Sequence, residues 1–450
     1  MNIFFHSVYL DSDKCMGCTN CIKRCPTEAI RVRGGKAQII AERCTDCGQC
    51  IRVCPHHAKK AMVDPLERAF DWRYKIALPA PSLYGQFSNL DDIDLVLTAL
   101  QELGFDEVYE VSRAAELVSD ATRQLMNEKK LRLPVISSAC PAVVRLIRVR
   151  FPDLCGHVLP LNAPMEMAAQ MAKKEAAART GLDPKEIGVT FIAPCPAKVT
   201  DVVVPIGPKA SAVDCVVSMS EVFPLLAEKM KKIQETRPLS KSGIIGVGWA
   251  GSGGESAALL NEKYLAADGI ENVIHVLEEM EDERIGEVEF VELNACWGGC
   301  VGGVLTVENP YVAKARLQRL RKYLPVSCNH LSESIPGNMA WDAPLQFAPV
   351  MKLSDDMEQA LQMMNDIERM EGCFPGLDCG SCGAPSCRAL AEDIVRGLAS
   401  ETDCIFVMRE QLQSVETALS SLGGTIPPVR AVPKEKSGET PGALKGESGE

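Results

Sequence analysis

The stretch Gly188–Lys198 reads GVTFIAPCPAK, an apolar run that ends in a proline-flanked cysteine loop. Gly188 to Ala193 has the length and composition of a buried strand. Two other loops repeat the plan. Ser137-Ser138-Ala139-Cys140-Pro141 follows the strand candidate Val135-Ile136, and Ala295-Cys296-Trp297-Gly298-Gly299-Cys300 follows Val288 to Leu293. In open α/β sheets, ligands gather beyond the carboxyl ends of strands, so three such loops can converge on one site. Cys140, Cys195, Cys296 and Cys300 would together suit a four-iron cubane, with Gly298-Gly299 allowing close backbone approach. Taken singly, each reads as a buried free thiol.

Outward from these loops, strands alternate with helices from about residue 75 to 350. Asp91 to Leu103 sets Ile93, Val96, Leu97, Leu100 and Leu103 in a helical stripe, and Gly104 is a natural stop. Val108 to Val111, Val213 to Val217 and Ile244 to Val247 are further strand candidates. The expected fold is α/β, a two-lobed domain with mainly parallel sheets flanked by helices. With 450 residues and 46% hydrophobic content, the chain has material for more than one domain.

Residues 1–65 carry two runs, Cys15-x2-Cys18-x2-Cys21-x3-Cys25-Pro26 and Cys44-x2-Cys47-x2-Cys50-x3-Cys54-Pro55. This is the bacterial two-cluster ferredoxin spacing, in which the fourth cysteine of each run ligates the other cluster. Cys15, Cys18, Cys21 and Cys54 are therefore assigned to one [4Fe–4S] cubane of a ferredoxin-like α+β domain. Cys44, Cys47, Cys50 and Cys25 are assigned to the other. A pair of zinc sites is the competing reading. His56-His57 reads as a solvated turn, with cluster tuning or proton carriage as the alternative.

Beyond a helix from about Asp355 to Met370 comes Cys379-x2-Cys382-x4-Cys387 with Cys404 downstream, a candidate small [4Fe–4S] domain over residues 355–404. Glycines in Asp378-Cys379-Gly380-Ser381-Cys382-Gly383 let backbone N–H groups approach cluster sulfurs. Cys373 is a nearby competitor outside the motif, and a zinc knuckle is the alternative. Residues 405–422 form a helix whose Ile405, Met408, Leu412, Val415, Leu419 and Leu422 make a three-four apolar seam, able to pair two chains as a homodimer. Residues 423–450 read as a disordered tail.

The 20 cysteines in a long chain without a signal peptide point to metal ligands in a cytoplasmic protein rather than to disulfides. The net charge of −12 excludes a nucleic-acid partner, and no stretch has the run of about 20 apolar residues that a membrane span needs. Cys155, Cys215, Cys328 and Cys373 have no motif, and Cys215 reads as a core residue.

From about Ala77 to Val304 the three loops resemble the signature motifs of the [FeFe]-hydrogenase large subunit. The C-terminal run is similar to small cluster domains of membrane-bound electron-transfer subunits and corrinoid iron–sulfur proteins. The resemblance implies that Cys140, Cys195, Cys296 and Cys300 hold a cubane. It also implies that Cys300 bridges to a diiron subcluster bearing CO, cyanide and a dithiolate. Ala80-Pro81-Ser82 and Lys198 match residues that line that pocket, although by itself Lys198 reads as a surface lysine. The implied activity is reversible H2 oxidation and proton reduction, with a ferredoxin-like or other redox carrier as partner.

Two departures bear on rate. Ala139 stands where catalytic members keep a proton-carrying cysteine, and Gly248-Trp249-Ala250-Gly251-Ser252-Gly253-Gly254-Glu255 replaces a methionine-bearing loop. With the C-terminal cluster, these resemble the sensory subgroups, which implies low turnover, H2 or redox sensing and a signalling partner. The alternative is a non-catalytic iron–sulfur assembly or electron-transfer protein without the diiron unit.

Overall fold

The computed structural model describes residues 5–421 except residue 333. The expected tail over 423–450 and Leu422 of the seam lie outside the described residues. Near the N-terminus, β1 (Val8–Leu10) pairs antiparallel with β4 (Lys59–Ala61), and β2 (Ile30–Arg33) with β3 (Lys36–Ile39). Gly34-Gly35 joins the second pair with φ of 57° and 74°, the two positive values that a two-residue hairpin turn requires. Short helices Asn20–Lys23 and Gln49–Arg52 carry Cys21 and Cys50 into a small core with Val8, Ile22 and Ile30.

The middle of the chain builds two parallel sheets. The first, in order β6-β5-β8-β9, comprises β5 (Tyr74–Pro79), β6 (Glu107–Val108), β8 (Ile187–Ala193) and β9 (Cys215–Ser218). Every residue of β8 is buried, as a parallel strand covered on both faces demands. The second sheet, β10-β11-β7, comprises β7 (Val135–Ile136), β10 (Tyr264–Asp268) and β11 (Phe290–Asn294). Each sheet has its own apolar core, one around Ile76, Leu97 and Phe191, the other around Ile136, Val143 and Val291. This is the mixed α/β, two-lobed architecture expected.

Helix Ile93–Leu103 follows its stripe, capped by the Asp92 carboxylate on the Asp94 N–H and ended at Gly104. Three expected strands change. Ile244–Gly248 is a helix, because a short apolar run cannot be told from a buried helical turn by periodicity. Its Gly246 packs so tightly that a Cβ would stand 2.2 Å from the Ser112 carbonyl oxygen. Val108 ends β6, and Val111 opens helix Val111–Asn127. Val213 precedes β9 instead of starting it.

A separate small core around Ile367, Phe374, Leu390 and Cys404 gathers helices Met357–Glu371 and Cys387–Val395. Helix Ile405–Ser421 follows and buries none of its residues. Among the described residues, no helix is long and apolar enough to cross a membrane.

Candidate metal centres

The carboxyl ends of β7, β8 and β11 deliver the three cysteine loops. Cys140 and Cys195 each stand immediately before a helix, Pro141–Arg150 and Pro196–Val203, whose first residue is proline. Proline there starts the helix at once, so each thiol sits where free backbone N–H groups favour negative charge. Burial, then the charge of the neighbouring Cys140, pushes the Cys195 thiol up to about 12. Burial, then Cys195 and Cys140, pushes Cys300 up to about 12 and Cys296 well above its ordinary value. Three thiols held back from ionising in a dry space beside a fourth fit a cationic cluster, which would turn that repulsion into attraction.

The loop from Cys296 to Cys300 depends on Gly299, at φ 91°, where a Cβ would stand 2.4 Å from the Ser252 amide nitrogen. Beside it lies a cavity of about 70 Å³ lined by Pro81, Ser82, Ala139, Phe191, Lys198, Trp249, Glu255, Glu292, Asn294 and Cys300. Of the four cysteines, Cys300 alone reaches this wall. Lys198, expected at the surface on general grounds, is 8% exposed and donates to the Ala139 carbonyl at 3.1 Å. Asp201 lies 3.9 Å from its ammonium. The buried Ser82 hydroxyl has no hydrogen-bond partner among the described residues.

Sequence reasoning missed the carboxylates of this cavity. Glu292 on β11 accepts from the backbone N–H groups of Gly253 and Ser256 and from Asn294, each at 2.9 Å. Glu255 accepts from the Ser137 hydroxyl at 2.6 Å, and that hydroxyl accepts from the Ala139 N–H at 3.1 Å. Burial, then the charge of Glu292, pushes the Glu255 carboxyl up to about 8. Burial raises Glu292 too, against the pull of the Ser256 and Gly253 N–H groups. The signal was present: Glu292 interrupts an apolar strand four residues before Cys296, where a buried charge needs a reason.

In the N-terminal domain, Cys15, Cys18, Cys21 and Cys54 line one small cavity, and Cys25, Cys44, Cys47 and Cys50 line another. Each cavity is thus lined by three cysteines of one run and the fourth cysteine of the other. The Cys25 and Cys54 sulfurs accept from the Ala29 and Ala58 N–H groups at 3.2 and 3.3 Å. His57 is exposed, while His56 reaches the rim of the first cavity. In the C-terminal unit, Cys382, Cys387 and Cys404 share one core, and burial chiefly, with the nearby Cys379 and Cys404 adding to it, pushes the Cys382 thiol up. Cys373, just past helix Met357–Glu371, turns its thiol back onto that helix, 3.4 Å from the Arg369 carbonyl. Cys215 is fully buried, and burial pushes its thiol up to about 12.

Residues 73–304, just over half of the chain, match the family described as iron only hydrogenase large subunit, C-terminal domain. Residues 7–55 match a 4Fe-4S dicluster domain, and 374–406 match a family described by an Fe-S cluster. The periplasmic [Fe] hydrogenase large subunit of Nitratidesulfovibrio vulgaris is 31% identical over 212 residues, 43% of this chain and 50% of that protein. Iron hydrogenase 1 of Clostridium pasteurianum is 24% identical over 368 residues, 66% of this chain and 64% of that protein. The chain thus spans between half and under two thirds of these relatives. A solved structure of [FeFe]-hydrogenase HydA1 from Chlamydomonas reinhardtii aligns with 58% of this chain and 88% of its own, at 17% identity and a TM-score of 0.46.

Proposed function

The chain belongs to the iron-only hydrogenase large-subunit family, and on that premise we propose that it performs slow, reversible H2 oxidation and proton reduction at a diiron centre. The observation that carries this reading is the cavity beside Cys300, where a buried lysine, a hydroxyl without a partner among the described residues and two buried carboxylates meet. Cys140, Cys195, Cys296 and Cys300 would hold the cubane of that centre, and Cys300, the one at the cavity wall, would bridge to the diiron unit. The two N-terminal sets and the C-terminal set would hold the remaining cubanes. When bound, a diiron unit with CO, cyanide and a dithiolate supplies the heterolytic H2 chemistry.

The chain's own residues supply donors, dryness and a proton. Lys198 and Ser82 offer N–H and O–H groups at the wall, suited to the negative nitrogen of a cyanide ligand. Ala139 has no proton to give. Glu255 takes that part: burial and the charge of Glu292 push its carboxyl up to about 8, and it is held against Ser137. Glu292 accepts three N–H groups, which oppose the upward push that burial gives its own carboxyl. Both carboxyls line one dry cavity, and the charge of Glu292 opposes ionisation of Glu255, so the pair favours keeping a proton there.

A sensing role for H2 or redox state stands beside turnover, favoured by Ala139 and by the exposed helix Ile405–Ser421, a surface a signalling partner could read. An electron-transfer or assembly role without the diiron unit leaves the buried Ser82 hydroxyl, which has no partner among the described residues, with no task. The proposed setting is an anaerobic cytoplasm with a one-electron carrier. The test is H2 evolution per assembled diiron centre with a strong reductant, measured beside a relative that keeps the cysteine. Slow turnover is expected. No H2 chemistry at all from fully assembled protein would overturn the enzymatic reading.

A further inference from the structure

We propose that the C-terminal cysteine cluster is the outer end of the electron relay, seated against the first N-terminal cubane site and held there by a buried arginine clamp. The inference rests on the reading that all four cysteine sets hold cubanes. Its own content is their order and the residues that impose it.

The C-terminal unit does not hang from a loose tether. Arg31 grips Asp393 with two bonds, Nε to Oδ2 at 2.7 Å and Nη2 to Oδ1 at 3.1 Å. Arg33 reaches the same carboxylate at 2.6 Å and the Cys382 carbonyl at 2.9 Å, and Arg43 pairs with Glu392 at 2.5 Å. The Arg31 and Asp393 side chains are each 6% exposed. Buried ion pairs add little net stability, because desolvation offsets attraction, but a two-bond arginine fork fixes the orientation of its carboxylate. A clamp of this kind specifies a pose.

That pose sets two cysteine sites back to back. The Val32 N–H donates to the Gly383 carbonyl at 2.8 Å, and a Cβ on Gly383 would stand 2.0 Å from the Val32 carbonyl oxygen. Val32 is also a wall residue of the cavity lined by Cys15, Cys18, Cys21 and Cys54. On the same side, Lys23 donates to the Pro385 carbonyl at 2.9 Å, and a Cβ on Gly380 would meet Ile22 at 3.4 Å. Ile22 and Lys23 directly follow Cys21, so one layer of residues separates the Cys379–Cys382 loop from the first cubane site.

The other end of the relay is equally close. Cys47 packs against the same core as Cys140 and Cys195, a Cβ on Gly48 would meet Val304 at 2.7 Å, and Arg52 donates to the Gly302 carbonyl. The order is therefore the C-terminal set, then Cys15/Cys18/Cys21/Cys54, then Cys25/Cys44/Cys47/Cys50, then the cavity. Cys379 and Leu377 are exposed at the outer end, where a one-electron carrier can dock. Each H2 oxidised releases two protons into the cavity and two electrons, which pass singly along this line to two equivalents of carrier.

The experiment uses the full chain loaded with cubanes only, reduced with dithionite and examined by electron paramagnetic resonance alongside iron analysis. The expected spectrum carries spin–spin broadening between the C-terminal and first N-terminal cubanes. Cys382→Ser should remove one cubane's iron together with that broadening. Asp393→Ala should keep all the iron and lose the broadening; where it loads incompletely, Arg33→Ala makes the same test from the opposite side of the clamp. Full iron with a magnetically isolated C-terminal cubane in the unmodified protein overturns the order. Iron short of four cubanes overturns the cubane reading on which it rests.

Discussion

The N-terminal cysteine sites and the cavity beside Cys300 use the same ligand in opposite ways. In the former, two-residue gaps on short loops and one-turn helices bring three thiols to a point, and the fourth arrives from the paired run. In the latter, each chemical group comes from a different element: Ser82 after β5, Ala139 after β7, Lys198 after β8, Glu292 on β11 and Glu255 from helix Gly254–Ala258. A local site needs only spacing, and suits electron passage. A site assembled across sheets can place acids and donors where a loop cannot, and suits bond-making chemistry.

The largest effect that would break this contrast concerns the proton. Glu255→Gln should lower H2 turnover by about 10²–10⁴, the cost of losing a positioned acid, with the infrared signature of the centre retained. H2 evolution should fall as pH rises through about 8, where Glu255 loses its proton. Stability carries the same sign. The folded state holds this proton above the ordinary 4.5, so it binds more protons than the unfolded chain, and stability should fall between 4.5 and about 8. Glu255→Gln should flatten that slope in urea titrations at several pH values.

Next in size is backbone strain. Gly299→Ala should destabilise the chain by about 2–5 kcal/mol, combining a glycine-only conformation with a backbone collision. Gly34→Ala, in a hairpin where an added Cβ meets nothing within 4 Å, should cost about 1 kcal/mol. Thermal unfolding of the loaded chain measures both, and equal shifts would contradict the contrast.

Ala139→Cys should raise turnover by a smaller factor, since Glu255 already serves the cavity and the added sulfur must fit a packed wall. Turnover rising to that of a cysteine-bearing relative would make Glu255 dispensable.

The same contrast explains what was legible in the sequence. The N-terminal groupings could be read from spacing alone, because their geometry is local. The three cysteine loops of the middle domain could be placed because each follows a strand. Strand β5 went unassigned because Tyr74–Pro79 ends in proline, and β10 because alanine-rich Tyr264–Asp268 has weak strand character. Glu255 and Glu292 were in view, but their partnership joins residues that only the fold brings together. Lys198 by itself reads as a surface lysine; its place three residues after Cys195, together with family likeness, is what singles it out.

The smallest expected effect is on assembly. Ile405, Met408, Leu412, Val415 and Leu419 are all exposed along helix Ile405–Ser421. Light scattering should give a dimer for the full chain and a monomer for one ending at Arg409, and equal masses would remove the seam as a pairing surface.

The most direct test of the central claim is an infrared spectrum of anaerobically matured protein, in the region where iron-bound CO and cyanide absorb and proteins do not. The account predicts those bands, and predicts their loss in Cys300→Ser with the N-terminal cubanes still present. A spectrum without them, under conditions that load a known hydrogenase, would contradict a diiron centre beside Cys300.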